Sequence, residues 1–402
     1  MPNRKGLLTA LGTGVITGAA DDDPSAIGTY ASAGAKFGLG FLWIAPVLLP
    51  MMYAVVYLSA KLGQVHRKGL FAAIREHLPP WVLFPMLALA IVGNVIEAAA
   101  DLGGIGAGLN LLVPVPIPLI VIATAVGLVA FQIFGSYALL RKIFQWLTLA
   151  LFAYVAAAIL AKPDPLEVIR ATVLPRVHPD EEFLSMLVAC MGTSLSAYIY
   201  TWQSNQEVEE HRSLQTTRRD VLIGMTFSNV ILYFIILTTG ATLHPAGHTE
   251  LDSAAQAAQA LAPLAGPAAG ALFAIGMVGV GVVAVPVMTT GAAYDLVQGF
   301  GKPGSLRAKP HETKLFYATI AVVTAIAVAA NFFGLNPMRA LVWSGIVQGF
   351  SVPPLLLIIM LLTNSRKLMG QATNGRLINV LGWSTTALTF LATGWLVVTW
   401  IR

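Results

Sequence analysis

Apolar stretches of roughly 20 residues recur from one end of this 402-residue chain to the other, the length a helix needs to cross a hydrocarbon core. Lipid offers backbone groups no hydrogen-bond partner, so only helices or a closed barrel can span it. A barrel would read as short alternating segments, and none are present. Composition agrees: 56% of residues are hydrophobic and only 11% charged, against about 25% charged in a soluble domain. The fold class is therefore an all-α membrane protein with about eleven transmembrane helices. The spans read as 8–35, 39–62, 82–112, 115–135, 141–161, 183–211, 218–243, 266–298, 314–334, 338–362 and 378–401. Polar connections are short, so a single domain covering 1–402 is expected.

The formal net charge of +5 reflects membrane orientation rather than an anionic partner. Lys and Arg cluster in alternate loops, about 18 of the 24 on one side if the N-terminus is cytosolic. That assignment leaves Lys36, Lys162, Arg170, Arg176, Arg339 and Arg402 outside and puts the C-terminus outside. Nucleic-acid binding would need a basic stripe on a folded face, so no nucleic acid is expected as partner. The partners implied are the bilayer and a small cationic solute, with no obligate protein partner evident. The lone cysteine, Cys190, excludes an internal disulfide and reads as a packing residue in an apolar segment. No cleavable leader is expected, because the first apolar stretch continues into a span that carries three aspartates.

That first span is unusual. Gly12, Gly14 and Gly18 precede Ala19-Ala20-Asp21-Asp22-Asp23-Pro24-Ser25 near its middle. Each carboxylate at that depth would cost roughly 2.5–3.5 kcal/mol on insertion scales. Pro24 lacks an N–H and clashes with the preceding turn, which predicts a helix break before it. Asp23-Pro24 then reads as the N-cap and first residue of a new half-helix. The sixth span repeats the pattern with Gly192-Thr193-Ser194-Leu195-Ser196, followed by Tyr198-Ile199-Tyr200-Thr201-Trp202-Gln203-Ser204. Breaks at corresponding positions of two five-span halves point to an inverted-repeat transporter with its site at the facing breaks. The first repeat would be 8–161, the second 183–362, and 378–401 an additional helix.

Three further features extend the argument. Asp23-Pro24-Ser25, Asp101 with Leu109-Asn110-Leu111-Leu112, and Ser365-Arg366-Lys367-Leu368-Met369-Gly370 occur in this order. Together they resemble the Nramp (natural resistance-associated macrophage protein) divalent-metal transporters over nearly the whole chain. The resemblance implies a LeuT-type 5+5 inverted repeat with helices 1 and 6 broken. In that family an Asp-Pro-Gly-Asn in span one and a Met-Pro-His in span six supply aspartate, asparagine and methionine ligands, helped by backbone carbonyls. Carried over position by position, Asp23 is kept, Ala26 replaces the asparagine, Ser196 the methionine and Tyr198 the histidine. The carbonyl donors would be Ala20 and Thr193, with Asp22 beside them. A span-ten glutamine falls at Gly345 on an ungapped reading. The chain thus resembles a divergent branch lacking the Asn and Met ligands.

These departures carry chemistry. A thioether favours transition metals, whereas carboxylate, carbonyl and water suit Mg²⁺, Ca²⁺ and Mn²⁺. Losing the sulfur and an amide oxygen leaves a wider oxygen-lined site that suits a partly hydrated hard cation. Tyrosine does not titrate near neutral pH, so proton coupling is expected to be weak or altered. Glu97 and Asp101, four apart on one face of span three, are the expected proton relay. Glu207, Glu209, Glu210 and His211 read as a solvated helix end. No cofactor is expected beyond the transported ion and protons, and no enzymatic constellation is present. Two other readings stay open. Ala26 and Ser196, with Tyr198 and Trp202, also suit a small organic cation, and a non-transporting sensor or scaffold is the third. Short loops and net positive charge fit a bacterial inner membrane.

Overall fold

The computed structural model describes residues 17–134 other than 19, together with 151–209, 213–306 and 308–401. Among them every regular element is helical. Among the described residues nine helices are long and apolar enough to cross a membrane. The two remaining expected spans, 8–35 and 141–161, lie partly outside the described residues. What is described of them continues as α1 (Pro24–Phe37) and α6 (Phe152–Ala161).

The first half of the chain adds α2 (Ile44–His66), the short α3 (Leu70–His77), α4 (Pro80–Asn110) and α5 (Ile117–Phe134). After α6 come α7 (Pro165–Val173), the interrupted pair α8 (Glu181–Ser194) and α9 (Ala197–Glu209), and α10 (Leu214–Thr242). The last group is α11 (Ala269–Gly299), α12 (Lys314–Ala330), α13 (Pro337–Asn364) and α14 (Arg376–Ile401). Helix α4 packs along α11 and α13, α1 along α10, α9 along α2, and α8 along α13. Burial sorts them: α8 and α9 are buried along most of their length, while α5, α12 and α14 turn most of their surface outward. The exposed leucines, valines and tryptophans of the outer helices face what must be lipid.

Both expected interruptions are present. The chain is helical up to Asp21, bends at Asp22, and restarts at Pro24. Asp23 is the N-cap of α1, extended at φ −70° and ψ 174°, and its side chain accepts from the Ala26 N–H. Between α8 and α9, Leu195 leaves helical geometry at φ −125° and ψ 24°.

Small residues let the broken helices touch their neighbours. A Cβ at Gly192 would lie 1.9 Å from the Gly345 carbonyl oxygen and 2.4 Å from the Gly349 nitrogen. A Cβ at Gly34 would lie 2.0 Å from Thr239 Oγ1. Gly103, Gly104, Gly106 and Gly108 on α4 play the same part against Asn331, Met277 and Ile117. Gly192→Ala forces the backbones of α8 and α13 apart and should cost about 1–3 kcal/mol. Gly127→Ala on α5, where a Cβ meets nothing within 4 Å, should be neutral or slightly stabilising. Thermal unfolding of the purified variants in detergent checks the pair.

Candidate functional site

The two breaks face each other and bring five buried carboxyl groups into the middle of the protein: Asp21, Asp22, Asp23, Glu97 and Asp101, each with no exposed surface. None of them is paired with Lys, Arg or His among the described residues. They are held instead by neutral donors.

Asp23 is the hub. Its Oδ1 accepts from Ser25 Oγ (2.7 Å) and the Ala26 N–H (2.6 Å), and its Oδ2 accepts from Tyr198 Oη (2.8 Å). Tyr198 Oη also lies 2.7 Å from the Ala20 carbonyl oxygen. That carbonyl needs a donor for a local reason: four residues on stands Pro24, which has no N–H to complete the helical bond. A single phenolic proton therefore serves two acceptors, Ala20 and Asp23, which sit on opposite sides of the first break.

Glu97 bridges to the second break. Its Oε1 accepts from Ser196 Oγ (2.8 Å) and Ser25 Oγ (3.3 Å). Its Oε2 accepts from Gln348 Nε2 on α13 at 2.6 Å. Ser196 Oγ also lies 3.0 Å from the Gly192 carbonyl and 3.3 Å from that of Thr193. Thr193 Oγ1 is 3.3 Å from Ser25 Oγ. Asp101 Oδ1 accepts from the Ser25 N–H (2.9 Å), while its Oδ2 has no partner among the described residues. Asp21 and Asp22 share one hydroxyl, Ser228 Oγ of α10, at 2.8 and 3.0 Å. Their other oxygens have no partner among the described residues. A centre with more acceptors than protons in neutral donors requires added protons or a cation.

The expected site residues thus divide in a definite way. Asp23, Ala20, Tyr198, Ser196, Thr193, Glu97 and Asp101 meet in one network. Ala26 contributes only its backbone N–H. Asp22 turns to Ser228 with Asp21, and both are sealed from solvent. Gly345 is a packing residue on Ala189, whose carbonyl oxygen a Cβ there would approach to 2.8 Å. The span-ten glutamine that reaches the site is Gln348, nearly one turn later. Asn94, about one helical turn before Glu97, bonds neither Glu97 nor Asp101, and both its amide atoms are unpartnered among the described residues. Ser194 faces Tyr30 (2.8 Å) instead of the acids.

One expectation fails outright. Glu207 is not a solvated helix end: it is fully buried and accepts from Gln203 (2.9 Å) and Thr217 (3.1 Å). The helical pitch turns it inward toward α10. Glu210 and His211 lie outside the described residues, and so does the side chain of Glu209. Sequence reasoning also passed over Asp295 on α11, which is fully buried. Its position near a span end resembled a solvated one. A glutamine inside an apolar span was the available signal for Gln348.

The sequence profile described as "Natural resistance-associated macrophage protein-like" matches residues 14–399. The chain belongs to the Nramp family. Among curated relatives, the divalent metal cation transporter MntH from two strains of Klebsiella pneumoniae is 28% identical over 404 residues. That alignment covers 98% of this chain and 95% of the relative. Among solved structures, a mutant of the Eremococcus coleocola manganese transporter superposes with a TM-score of 0.76 at 17% identity, covering 98% of this chain and 87% of the other. The nucleobase-cation-symport-1 family transporter Mhp1, in a closed conformation, superposes with a TM-score of 0.62 at 14% identity over 97% of this chain and 93% of the other. These likenesses show the fold, a LeuT-type inverted repeat with helices 1 and 6 broken. The Nramp assignment makes the chain a multi-pass membrane transporter and not an enzyme.

Ser228 is the one donor shared by two acids, and its loss strips both. Ser228→Ala should destabilise the protein by about 1–3 kcal/mol. Ser32→Ala, whose hydroxyl bonds only the Gly28 carbonyl of its own helix (2.8 Å), should leave stability unchanged. Thermal unfolding in detergent reads both.

Proposed function

We propose that this Nramp-family chain carries a hard divalent cation of the Mg²⁺/Mn²⁺ class across the membrane by alternating access, with weak or altered proton coupling. The observation that carries the reading is the buried acid network without a basic partner. Every group bonded to Asp23 or Glu97 offers a hydroxyl, an amide or a backbone N–H, and no imidazole or thioether is among them. Oxygen donors of this kind suit hard cations. The names of the relatives, divalent metal and manganese transporters, favour a metal over an organic solute.

In this reading Asp23 is the metal ligand, assisted by the carbonyls of Ala20 and Thr193 and the hydroxyl of Ser196. Tyr198 holds Asp23 and Ala20 together before the ion arrives, then yields the position or turns a lone pair to it. Asp22 and Ala26 shape the cavity without taking the lead. Glu97 and Asp101 carry the protons that the absent histidine would carry elsewhere in the family. The N-terminus is assigned to the cytosol and the C-terminus outside, by the Lys and Arg bias, in a bacterial inner membrane.

Because Asp23 is both cap and ligand, the decisive substitution is Asp23→Ser, which keeps an N-cap oxygen and removes the charge. Mn²⁺ and Mg²⁺ uptake into proteoliposomes should fall to background in this variant while size exclusion stays normal. No uptake of either ion by folded wild type would favour an organic solute. Cd²⁺ or Fe²⁺ carried far better than Mg²⁺ or Mn²⁺ would overturn the hard-cation reading. A Glu97→Gln/Asp101→Asn double variant should lose the proton flux that accompanies uptake, followed with an internal pH dye. Undiminished flux would remove those residues from the relay.

A further inference from the structure

Far from the acid network, at the end of α2, three metal-binding side chains meet. His66 closes α2, and Glu76 and His77 close α3. One ligand atom from each lies within 4.8 Å of the other two. His66 Nε2 is 3.2 Å from Glu76 Oε2, poorly aligned for a hydrogen bond, and bonds no other side chain among the described residues. Two ligands of one tetrahedral ion with bonds of about 2.0–2.1 Å stand roughly 3.3 Å apart, their lone pairs aimed at the ion and not at each other. A close approach without hydrogen-bond alignment fits that arrangement.

The surroundings fit as well. His77 Nδ1 lies 3.1 Å from the Ala73 carbonyl oxygen, a contact that fixes the tautomer and leaves Nε2 as a lone pair. The two rings are 5.2 Å apart and inclined at 74°. Lys68 Nζ donates to Glu76 Oε1 at 2.6 Å, which orients the carboxylate with Oε2 toward His66. Arg67, in the left-handed region at φ 59°, turns the chain back so that α3 lies beside the end of α2. Glu76 and His77 are exposed, so an ion has a path in from the aqueous phase.

We propose that His66, Glu76 and His77 form a second metal site, for a zinc-class divalent ion, whose occupancy braces the second half of the broken sixth span. Two imidazoles and a carboxylate prefer borderline ions to the hard cations of the centre. The brace follows from what α3 touches. The Leu70 N–H donates to Ser204 Oγ of α9 (3.2 Å), and the Ala72 N–H to Gln298 Oε1 of α11 (3.3 Å). Gln298 in turn donates to Asn205 of α9 (2.5 Å). Helix α2 touches the same segment, since a Cβ at Gly63 would lie 2.1 Å from the Ser204 carbonyl oxygen. An ion joining α2 to α3 therefore fastens both to the second half of the broken sixth span. By the charge bias this is the cytosolic face, where a bound ion slows further entry. The brace rests on the transport reading; the site itself does not.

The probe is Zn²⁺ alone, titrated into chelator-stripped purified protein by calorimetry. Wild type should bind one more Zn²⁺ than His66→Gln/His77→Gln, and Asp23→Ser one more than the triple variant Asp23→Ser/His66→Gln/His77→Gln. The single variant His77→Gln, changed at an exposed residue, should weaken that site at least ten-fold without affecting the fold. Equal stoichiometry and affinity in wild type and both His variants would overturn the site. In proteoliposomes with equal Zn²⁺ on both faces, Mn²⁺ uptake should be slowed more in wild type than in the double variant, because competition at the centre is common to both. Equal inhibition would overturn the brace. Absence of Mn²⁺ uptake by wild type would count against the transport reading, while the calorimetry would still decide the site.

Discussion

A carboxylate removed from water inside a membrane has to find donors, a proton or a cation, and the architecture of this protein follows from that requirement. Five such groups stand around two helix breaks, and none has a basic side chain to pair with among the described residues. An uncompensated buried charge costs several kcal/mol. In the proposed reading, that deficit gives the centre a standing affinity for positive charge.

The breaks create the rest of the centre from backbone. Pro24 takes the N–H away from the Ala20 carbonyl, and Tyr198 from the other broken span supplies the replacement. Ser196 returns a hydroxyl to the carbonyls freed at its own break. The first interruption is therefore completed by the second and the second by its own hydroxyl. Such weak spots survive because the frame around them is tight. Gly192 against Gly345 and Gly34 against Ile236 put helix backbones in direct contact, so strain at the centre meets a frame that does not yield.

Donor chemistry separates two regions of the molecule. The centre has oxygen and amide donors and no imidazole bonded to its acids. The junction of α2 and α3 has two imidazoles and one carboxylate, near water. On the two proposals, the centre would carry a hard cation while the junction holds a borderline one. The link between the regions is mechanical: α3 is hydrogen-bonded to the segment that continues the broken sixth span.

The sequence by itself determined the solvent, the helical class, the two interruptions and the identity of Asp23 as their central acid. Each follows from local rules: span length, the missing proline N–H, and the cost of charge at depth. It also carried enough ordered motif to place the chain in its family. Only the tertiary structure decided partners. Ser228 lies some two hundred positions from the aspartates it serves, Gln348 reaches Glu97 across 251 positions, and Asn94, the nearer candidate, bonds neither acid. Glu207 read as solvated and is buried, because whether a span end meets water depends on the helix packed beside it. Hydropathy and helical period are properties of neighbours in sequence. A hydrogen bond between helices depends on register and rotation, which are fixed when the whole bundle closes.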